Sequence, residues 1–391
     1  MQLDFLSKKL TSLFNLEKSN YLLDENVVCY TYDFMSDITF CPYNNPENEM
    51  FEINLDGANL ENGEKENKNF RYAIFAPTKE EKFSEAIIML HGLNERSWGK
   101  YLPWAYQLVK QTQKPVILFP IAFHMNRSPL TWISPRLMNK FSIFRKTEIP
   151  SVENSSFANV AISLRIDNYP ELFALSGIQT YFDVIKLSSE IKSGYFDIFE
   201  NNCKIDFFGY SIGALLTETL LISNPLQLFS DSKAFFFCGG STFDKINGSS
   251  RSIMDSKAFT NLHNYMLYNK IAVRNMIKIP GRYSFLLIKG WKAFLAMSGI
   301  KKYVDIRNDA FKYLIDRIKA IGLQNDFIIP AHAIKETLCT NLKNRCFDVD
   351  ILDFPFKYSH EVPFPLNNQD NNEMVNKSFA MVFEKASRFL Q

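Results

Sequence analysis

The sequence predicts an α/β protein with a mostly parallel central sheet, helices on both of its faces and a helical insertion late in the chain. Three observations carry this. Short runs such as "EAIIMLHG" and "KIDFFGYS" are too continuously apolar for half-exposed edges and read as strands buried on both faces. These runs alternate with helical patterns from residue 70 onward, the order that lays parallel strands beneath crossover helices. Between about residue 243 and residue 318 the alternation breaks, and aromatic-rich helical patterns follow one another without a convincing strand.

Taken in order, Leu3, Leu6, Leu10 and Leu13 recur at helical spacing and predict an amphipathic N-terminal helix. Its polar face mixes a few lysines with acids, so docking on the protein's own body is expected ahead of a membrane surface. "FRYAIFAP" and "EAIIMLHG" are strands joined by the polar "TKEEKFS", and "SWGKYLPWAYQLVKQTQ" is a helix with Ser97 as its expected cap. "KPVILFPI" is the next buried strand. Residues 122–165 lose their periodicity and carry Pro129, Pro135 and Pro150, which marks a long connection of the kind that serves as a lid or pocket wall. A helix "IQTYFDVIKLSSEIKSG", a strand "KIDFFGYS", a helix "IGALLTETLLIS" and a strand "KAFFFCGGS" follow. The insertion holds "KAFTNLHNYMLYNKIAVRNMI", "RYSFLLIKGWKAFLAMSG" and "NDAFKYLIDRIKA". "IKAIGLQND", a helix "PAHAIKETLCTNL", a strand "CFDVDILDFPF" and a C-terminal helix "NEMVNKSFAMVFEKASRFLQ" complete the chain. The expected organisation is an N-terminal extension over 1–69, a core over 70–242 and 319–391, and a helical cap over 243–318.

Composition narrows the function. The 391 residues are 46% hydrophobic and 22% charged, the balance of a folded chain with a large core. Lys plus Arg number 44 against 42 Asp plus Glu, with no block of like charge to grip a phosphate backbone, so no nucleic-acid partner is expected. No secretory signal and no 18-residue apolar span are legible, which predicts a cytoplasmic protein without stable membrane insertion. The six cysteines form no CxxC pair with a nearby His, so they read as buried thiols and no metal or cofactor is expected. Oligomeric state is not legible.

"FFGYSIGALL" places Ser211 between Gly209 and Gly213, after an apolar strand and before a helix. In a G-x-S-x-G turn of this kind the serine projects above the sheet, and the glycines let strand and helix backbones approach where a Cβ would clash. A serine hydroxyl becomes a nucleophile only when a base takes its proton and a third group orients the base. Of the five histidines, His91, His124, His263, His332 and His360, the last follows the final apolar strand in "KYSHEVPF", where it can reach back over the sheet. Asp326, in the loop after "IKAIGL", is the preferred acid, with Asp244 beyond "FFFCGGSTF" as its competitor. The oxyanion of an acyl-transfer intermediate needs backbone donors. Ile212 N–H, at the start of the helix after Ser211, is one. Leu93 N–H is the expected second, with Gly92 N–H as runner-up. His91, Gly92 and Tyr210 are expected to contact substrate.

"HGLNE" at 91–95, "GYSIG" at 209–213, "GLQNDFIIP" at 322–330 and "SHEVPF" at 359–364, in this order, resemble the α/β-hydrolase superfamily over most of residues 70–365. The resemblance implies the α/β-hydrolase fold, a Ser211, Asp326 and His360 triad, and a helical cap between the sixth and seventh parallel strands. His360 lacks the glycine that often precedes the family's histidine. The expected function is a serine hydrolase cleaving a small-molecule ester or related acyl bond through an acyl-enzyme. The alternative is a non-catalytic small-molecule-binding protein on the same fold. The cap aromatics Phe259, Tyr265, Tyr283, Phe285, Trp291 and Phe294 suit an apolar acyl or alcohol group, though their helical spacing also suits cap core.

Overall fold

The computed structural model describes residues 2–40, 53–55, 58–79, 81–269, 277–279, 281–339, 346–366 and 372–391. The central sheet has nine strands: β1 (Asn20–Leu22), β2 (Val27–Met35), β3 (Asn69–Pro77), β4 (Phe83–Leu90), β5 (Val116–Leu118), β6 (Phe199–Tyr210), β7 (Ala234–Phe237), β8 (Ile318–Leu323) and β9 (Asp348–Leu352). Their order is β1-β2-β3-β5-β4-β6-β7-β8-β9. The pairs β1/β2, β2/β3 and β3/β5 are antiparallel, and every neighbouring pair from β5 to β9 is parallel. The mostly parallel α/β sheet expected from the sequence is therefore observed, in the arrangement of the α/β-hydrolase fold.

Because successive side chains of a strand point to opposite faces, each central strand feeds two cores. Phe75, Ile87, Met89, Phe208, Tyr210, Phe235 and Phe237 pack on one face under α1 (Leu3–Leu13), α2 (Leu102–Thr112) and, at the far end of the chain, the helix Asn372–Leu390. Trp104 of α2 lies at the centre of this layer, its ring 5.1 Å from Tyr210 and 5.7 Å from Phe237 and Phe383. Leu3, Leu6 and Leu10 of α1 are buried here and the Leu3 amide donates to Asn376 at 2.6 Å, so the amphipathic N-terminal helix docks on the body of the protein. On the other face Ile74, Ile88, Leu90, Phe207 and Phe236 pack beneath the remaining helices. Among the described residues no helix is long and apolar enough to cross a membrane.

Those helices are α3 (Pro135–Glu148), α4 (Val160–Asn168), α5 (Glu171–Lys192), α6 (Ile212–Ser223), α7 (Ser256–Tyr268), α8 (Ser284–Ala296), α9 (Val304–Leu314) and α10 (Ala331–Cys339), followed by α11 for Asn372–Leu390. The helical reading of "NKIAVRNMI" falls largely on residues 270–276, outside the described residues. Ile277–Lys278 pairs antiparallel with Thr39–Phe40, a strand pair too short to show as periodicity.

Four expectations need correction. Residues 1–69 do not stand apart from the core: β1 and β2 extend the main sheet, and β2 pairs with β3 from Val27↔Pro77 to Met35↔Asn69. The connection over 122–165 is not irregular, since Pro135 opens α3, where a missing N–H costs nothing, and Pro150 lies just beyond its end. Ser97 does not cap α2, which starts at Leu102 with Pro103 in its first turn. Cys339 and Cys346 are bonded as a disulfide, whereas Cys29, Cys203 and Cys238 are the buried thiols expected.

Candidate active site

The site is assembled at the carboxyl ends of β4, β6, β7 and β8. Between β6 and α6 the backbone of Ser211 turns through φ +56°, ψ −120°, a region that costs a non-glycine residue of the order of 1–3 kcal/mol. Its surroundings hold it there. A Cβ on Gly213 would lie 2.2 Å from the Leu90 carbonyl oxygen, one on Gly209 2.8 Å from Ala214 Cα, and one on Gly239 2.5 Å from Ala214 Cβ. Three glycines thus let β4, β6, α6 and the loop after β7 meet at one point. The Ser211 amide donates to Phe237 O at 3.2 Å and ties the turn to β7.

From this turn a chain of three side chains runs over the sheet. Ser211 Oγ–H donates to His360 Nε2 at 2.7 Å, and His360 Nδ1–H donates to Asp326 Oδ2 at 2.7 Å. Asp326 Oδ1 accepts the Ile328 and Ile329 amides, each at 2.9 Å, which pins the carboxylate and leaves Oδ2 for the imidazole. All three residues are buried. The Tyr210 ring stacks on the His360 ring at 5.4 Å, and Tyr210 Oη donates to the His360 carbonyl. Asp244 lies elsewhere: its carboxylate fills the space that the absent Gly299 side chain leaves, and its amide donates to Ser298 O.

At the amino end of α6 the Ile212 N–H belongs to the first turn, where helical amides have no intrahelical acceptor and the helix dipole favours an anion. Tyr101 Oη accepts the Gly92 N–H at 3.0 Å and donates to Glu95 at 2.8 Å, so the Gly92 amide is occupied within the protein. Asn94, at φ +58°, donates to Ala158 O and Ser252 O and so anchors this loop to both the 122–165 connection and the segment before α7. The polar atoms of His91, Gly92 and Tyr210, the residues expected to contact substrate, are engaged within the protein. Fully buried His91 donates from Nδ1 to Gly92 O at 2.8 Å and accepts the Ile121 amide at Nε2 at 2.9 Å, which fixes the neutral ring as a brace between β4 and the 122–165 connection. Burial first, and then the nearby His124, push its pKa well below the ordinary histidine value. His263 stacks beside Phe243 away from the triad chain, and His332 is exposed at the start of α10.

Sequence reasoning missed Cys238, which follows β7 at φ +50°. Its Sγ, a ligand atom of Asp326 and one of His360 lie within 4.8 Å of one another, a set with the elements of a metal site. Both imidazole nitrogens and Asp326 Oδ1 are already engaged, and burial, reinforced by the Asp326 charge, raises the thiol pKa well above its ordinary value, away from the thiolate a metal needs. No spacing rule linked Cys238 to His360, because their proximity arises only when β7 and the segment after β9 are brought together.

Ser211 opens into a cavity lined by Leu93, Phe173, Ile212, Phe243, Phe259 and Ile328. Leu93, Phe173 and Ile212 also line a larger, almost wholly apolar chamber with Ile178, Tyr181, Leu215, Leu216, Trp291 and Phe294. Of the aromatics expected to face substrate, Phe259, Trp291 and Phe294 line these cavities. Phe285 is exposed, and Tyr265 and Tyr283 pack on the core.

A model of a family described as "Family of unknown function (DUF6051)" matches residues 29–391. The chain belongs to this family. No curated protein matches it. Among solved structures the chain is similar to a cold-adapted esterase from an Arctic intertidal metagenomic library, at 9% identity over 97% of this chain and 100% of that one, with TM-score 0.43. It is also similar to an esterase of Pyrobaculum calidifontis, at 11% identity over 98% and 90% with TM-score 0.41. A third is carboxyl esterase 2 of the mycorrhizal fungus Tuber melanosporum, at 8% identity over 83% of each chain with TM-score 0.44.

Two outcomes test this account. Gly213→Ala pushes a methyl into the Leu90 carbonyl and should lower unfolding free energy by about 3 kcal/mol, read by urea denaturation. The second concerns His124, whose pKa burial lowers to about 4. The unfolded chain, with a histidine near 6.5, takes up protons that the folded state refuses, so stability is present above about pH 6.5 and is lost as pH falls toward 4. His124→Gln should therefore lose about 2 kcal/mol less than the parent chain between pH 7 and pH 5 in denaturation at the two pH values.

Proposed function

We propose that this chain is a serine hydrolase that cleaves an ester, or a related acyl bond, of a small molecule carrying an apolar group. The observation that carries this reading is the unbroken chain Ser211 Oγ to His360 Nε2 to Asp326, at 2.7 Å for each step, opening into an apolar cavity. Ser211 Oγ attacks the acyl carbon as its proton passes to His360 Nε2. Asp326 holds the imidazole in the tautomer that accepts this proton and stabilises the imidazolium. The Ile212 and Leu93 amides receive the oxyanion, a role worth roughly 10²–10³ in rate for each donor. His360 then protonates the departing alcohol, leaving an acyl-Ser211. Water, deprotonated by His360, attacks that ester and returns the free acid and the serine.

In this reading residues 243–318, together with α3 and α4, form a cap over the site. Arg145 of α3 supports that role by joining the two segments, donating to Asp255 at 2.9 Å and pairing with Asp167 at 3.0 Å, while Asp255 caps α7 by accepting the Ala258 amide. The apolar chamber under α8 would take the acyl or alcohol group.

A fluorophosphonate should label Ser211 in the folded chain, mapped by peptide mass spectrometry. Ser211→Ala should abolish labelling and 4-nitrophenyl ester turnover with little change in melting temperature. Absence of labelling on folded protein would favour the non-catalytic binding alternative. Asp326→Asn should lower kcat by roughly 10³–10⁴, whereas Asp244→Asn should leave it within a few-fold, measured by initial rates on the same ester.

A further inference from the structure

Three arginines are buried among the described residues, and two of them have carboxylate partners. Arg127 pairs with Asp183 at 2.9 Å, and Arg145 with Asp255 and Asp167. Arg165 of α4 is the exception. It is 5% exposed, its Nε and Nη2 have no hydrogen-bond partner, and no carboxylate among the described residues lies within 4.0 Å of it. Glu64, whose charge it feels, makes no ion pair with it. Its guanidinium is clamped between two rings, with Cζ 4.2 Å from the Trp132 centroid and 4.4 Å from that of Phe123. The clamp holds the plane in place but satisfies none of its N–H groups. Burial lowers the Arg165 pKa to about 9, still protonated at neutral pH. A buried, unpaired cation of this kind is costly unless an anion completes it.

A second unpartnered group stands on the same wall. His124 is 6% exposed and donates from Nδ1 to Ala122 O at 2.8 Å, so Nε2 presents a free lone pair, and nothing among the described residues donates to it. Arg165 and His124 line one cavity with Phe123, Trp132, Leu172 and Phe173. That cavity shares Leu93 and Phe173 with the one that holds Ser211.

We infer that the Arg165 cavity is a subsite for a carboxylate carried by the substrate, seated on Arg165 Nε and Nη2 while the bond to be cleaved lies at Ser211. The cavity is also lined by Arg96, whose guanidinium donates to the Phe157 and Ala158 carbonyls, and by Glu95, which pairs with Lys100, so of its charged side chains it is Arg165 that presents buried, unsatisfied N–H groups to a ligand. The fork of the guanidinium meets the two carboxylate oxygens in one plane. His124 Nε2 accepts from a hydroxyl neighbouring that carboxylate, or from water. The inference rests on the hydrolase reading for the position of the scissile bond, but the subsite itself does not require turnover.

The test uses two arms. In the first, 4-nitrophenyl esters of succinic, glutaric and adipic half-acids are compared with those of butyric, valeric and hexanoic acids. At the best of the three lengths the carboxylate ester should show the higher kcat/KM, mainly through KM. Arg165→Met should shrink that preference roughly tenfold or more, and Arg165→Lys should shrink it less. No preference in the parent chain, or an equal loss on both ester series in Arg165→Met, would overturn the subsite. In the second arm, Ser211→Ala protein is heated with monomethyl glutarate, methyl valerate or inorganic phosphate. Stabilisation by monomethyl glutarate alone, lost on adding Arg165→Met, supports the subsite even if no ester is turned over, in which case only the hydrolase reading fails. Stabilisation by phosphate in its place, or none that depends on Arg165, overturns it. Arg165→Lys serves both arms if Arg165→Met does not fold.

Discussion

The arrangement depends on one close approach, that of the Gly213 backbone to the carbonyl of Leu90 at the end of β4. No other residue leaves room for it, since a single added carbon would sit 2.2 Å from that oxygen. The contact presses the start of α6 onto the end of β4, and three further positions follow. Ser211 is held at positive φ with its hydroxyl on His360, Ile212 opens α6 beside it, and the loop carrying Leu93 leaves the end of β4. Backbone strain at Ser211 persists because the surrounding core, with Leu90, Phe207, Phe236 and Ala214 all buried, leaves the turn no alternative.

Around that point the polar groups divide into those that position and those that stand free. His91, Tyr101, Tyr210 and Asp326 Oδ1 spend their hydrogen-bonding capacity on the protein, and each removes a degree of freedom from the loop or side chain it touches. Buried in low dielectric, these bonds are stiff, and a missing partner would be expensive. His360 is consequently fixed from three sides, by Asp326, by the Tyr210 ring and by Tyr210 Oη on its carbonyl. The free groups, Arg165 and His124 Nε2, are found on the cavity wall next to Leu93 and Phe173. The cavities that meet at those two residues differ in character: one is nearly wholly apolar beneath α8, the other carries the unpaired cation beside α4. The substrate proposed above, with one apolar arm and one carboxylate-bearing arm, would satisfy both.

Much of this was legible in the chain because local patterns report local constraints. Continuous apolar runs gave away strands covered on both sides, and the G-x-S-x-G turn between strand and helix marked Ser211 and, with it, the Ile212 amide at the start of α6, whose span "IGALLTETLLIS" coincides with the observed Ile212–Ser223. Asp326 and His360 were legible as loop residues at strand ends, and they are the carboxylate and imidazole that line up with Ser211. Alternation also marked the strands from β4 onward as a parallel sheet, whereas β3, read from the same pattern, runs antiparallel to both of its neighbours. Prolines misled where they opened a helix rather than broke one, as Pro135 does at the start of α3.

What the sequence by itself determined is the class of fold, the serine at its turn and the order of the chemistry-bearing loops, since each of these is written in spacing along one element. Only the tertiary structure brought Asp326 rather than Asp244 against the His360 imidazole, engaged the polar atoms of His91, Gly92 and Tyr210 within the protein, added Val27–Met35 to the sheet, and left Arg165 unpaired on a cavity wall. These outcomes turn on contacts between residues far apart in the chain, where a carboxylate finds an imidazole in one case and a glycine's empty space in the other. Periodicity can say which face of an element is buried, but which polar groups meet there is settled by packing.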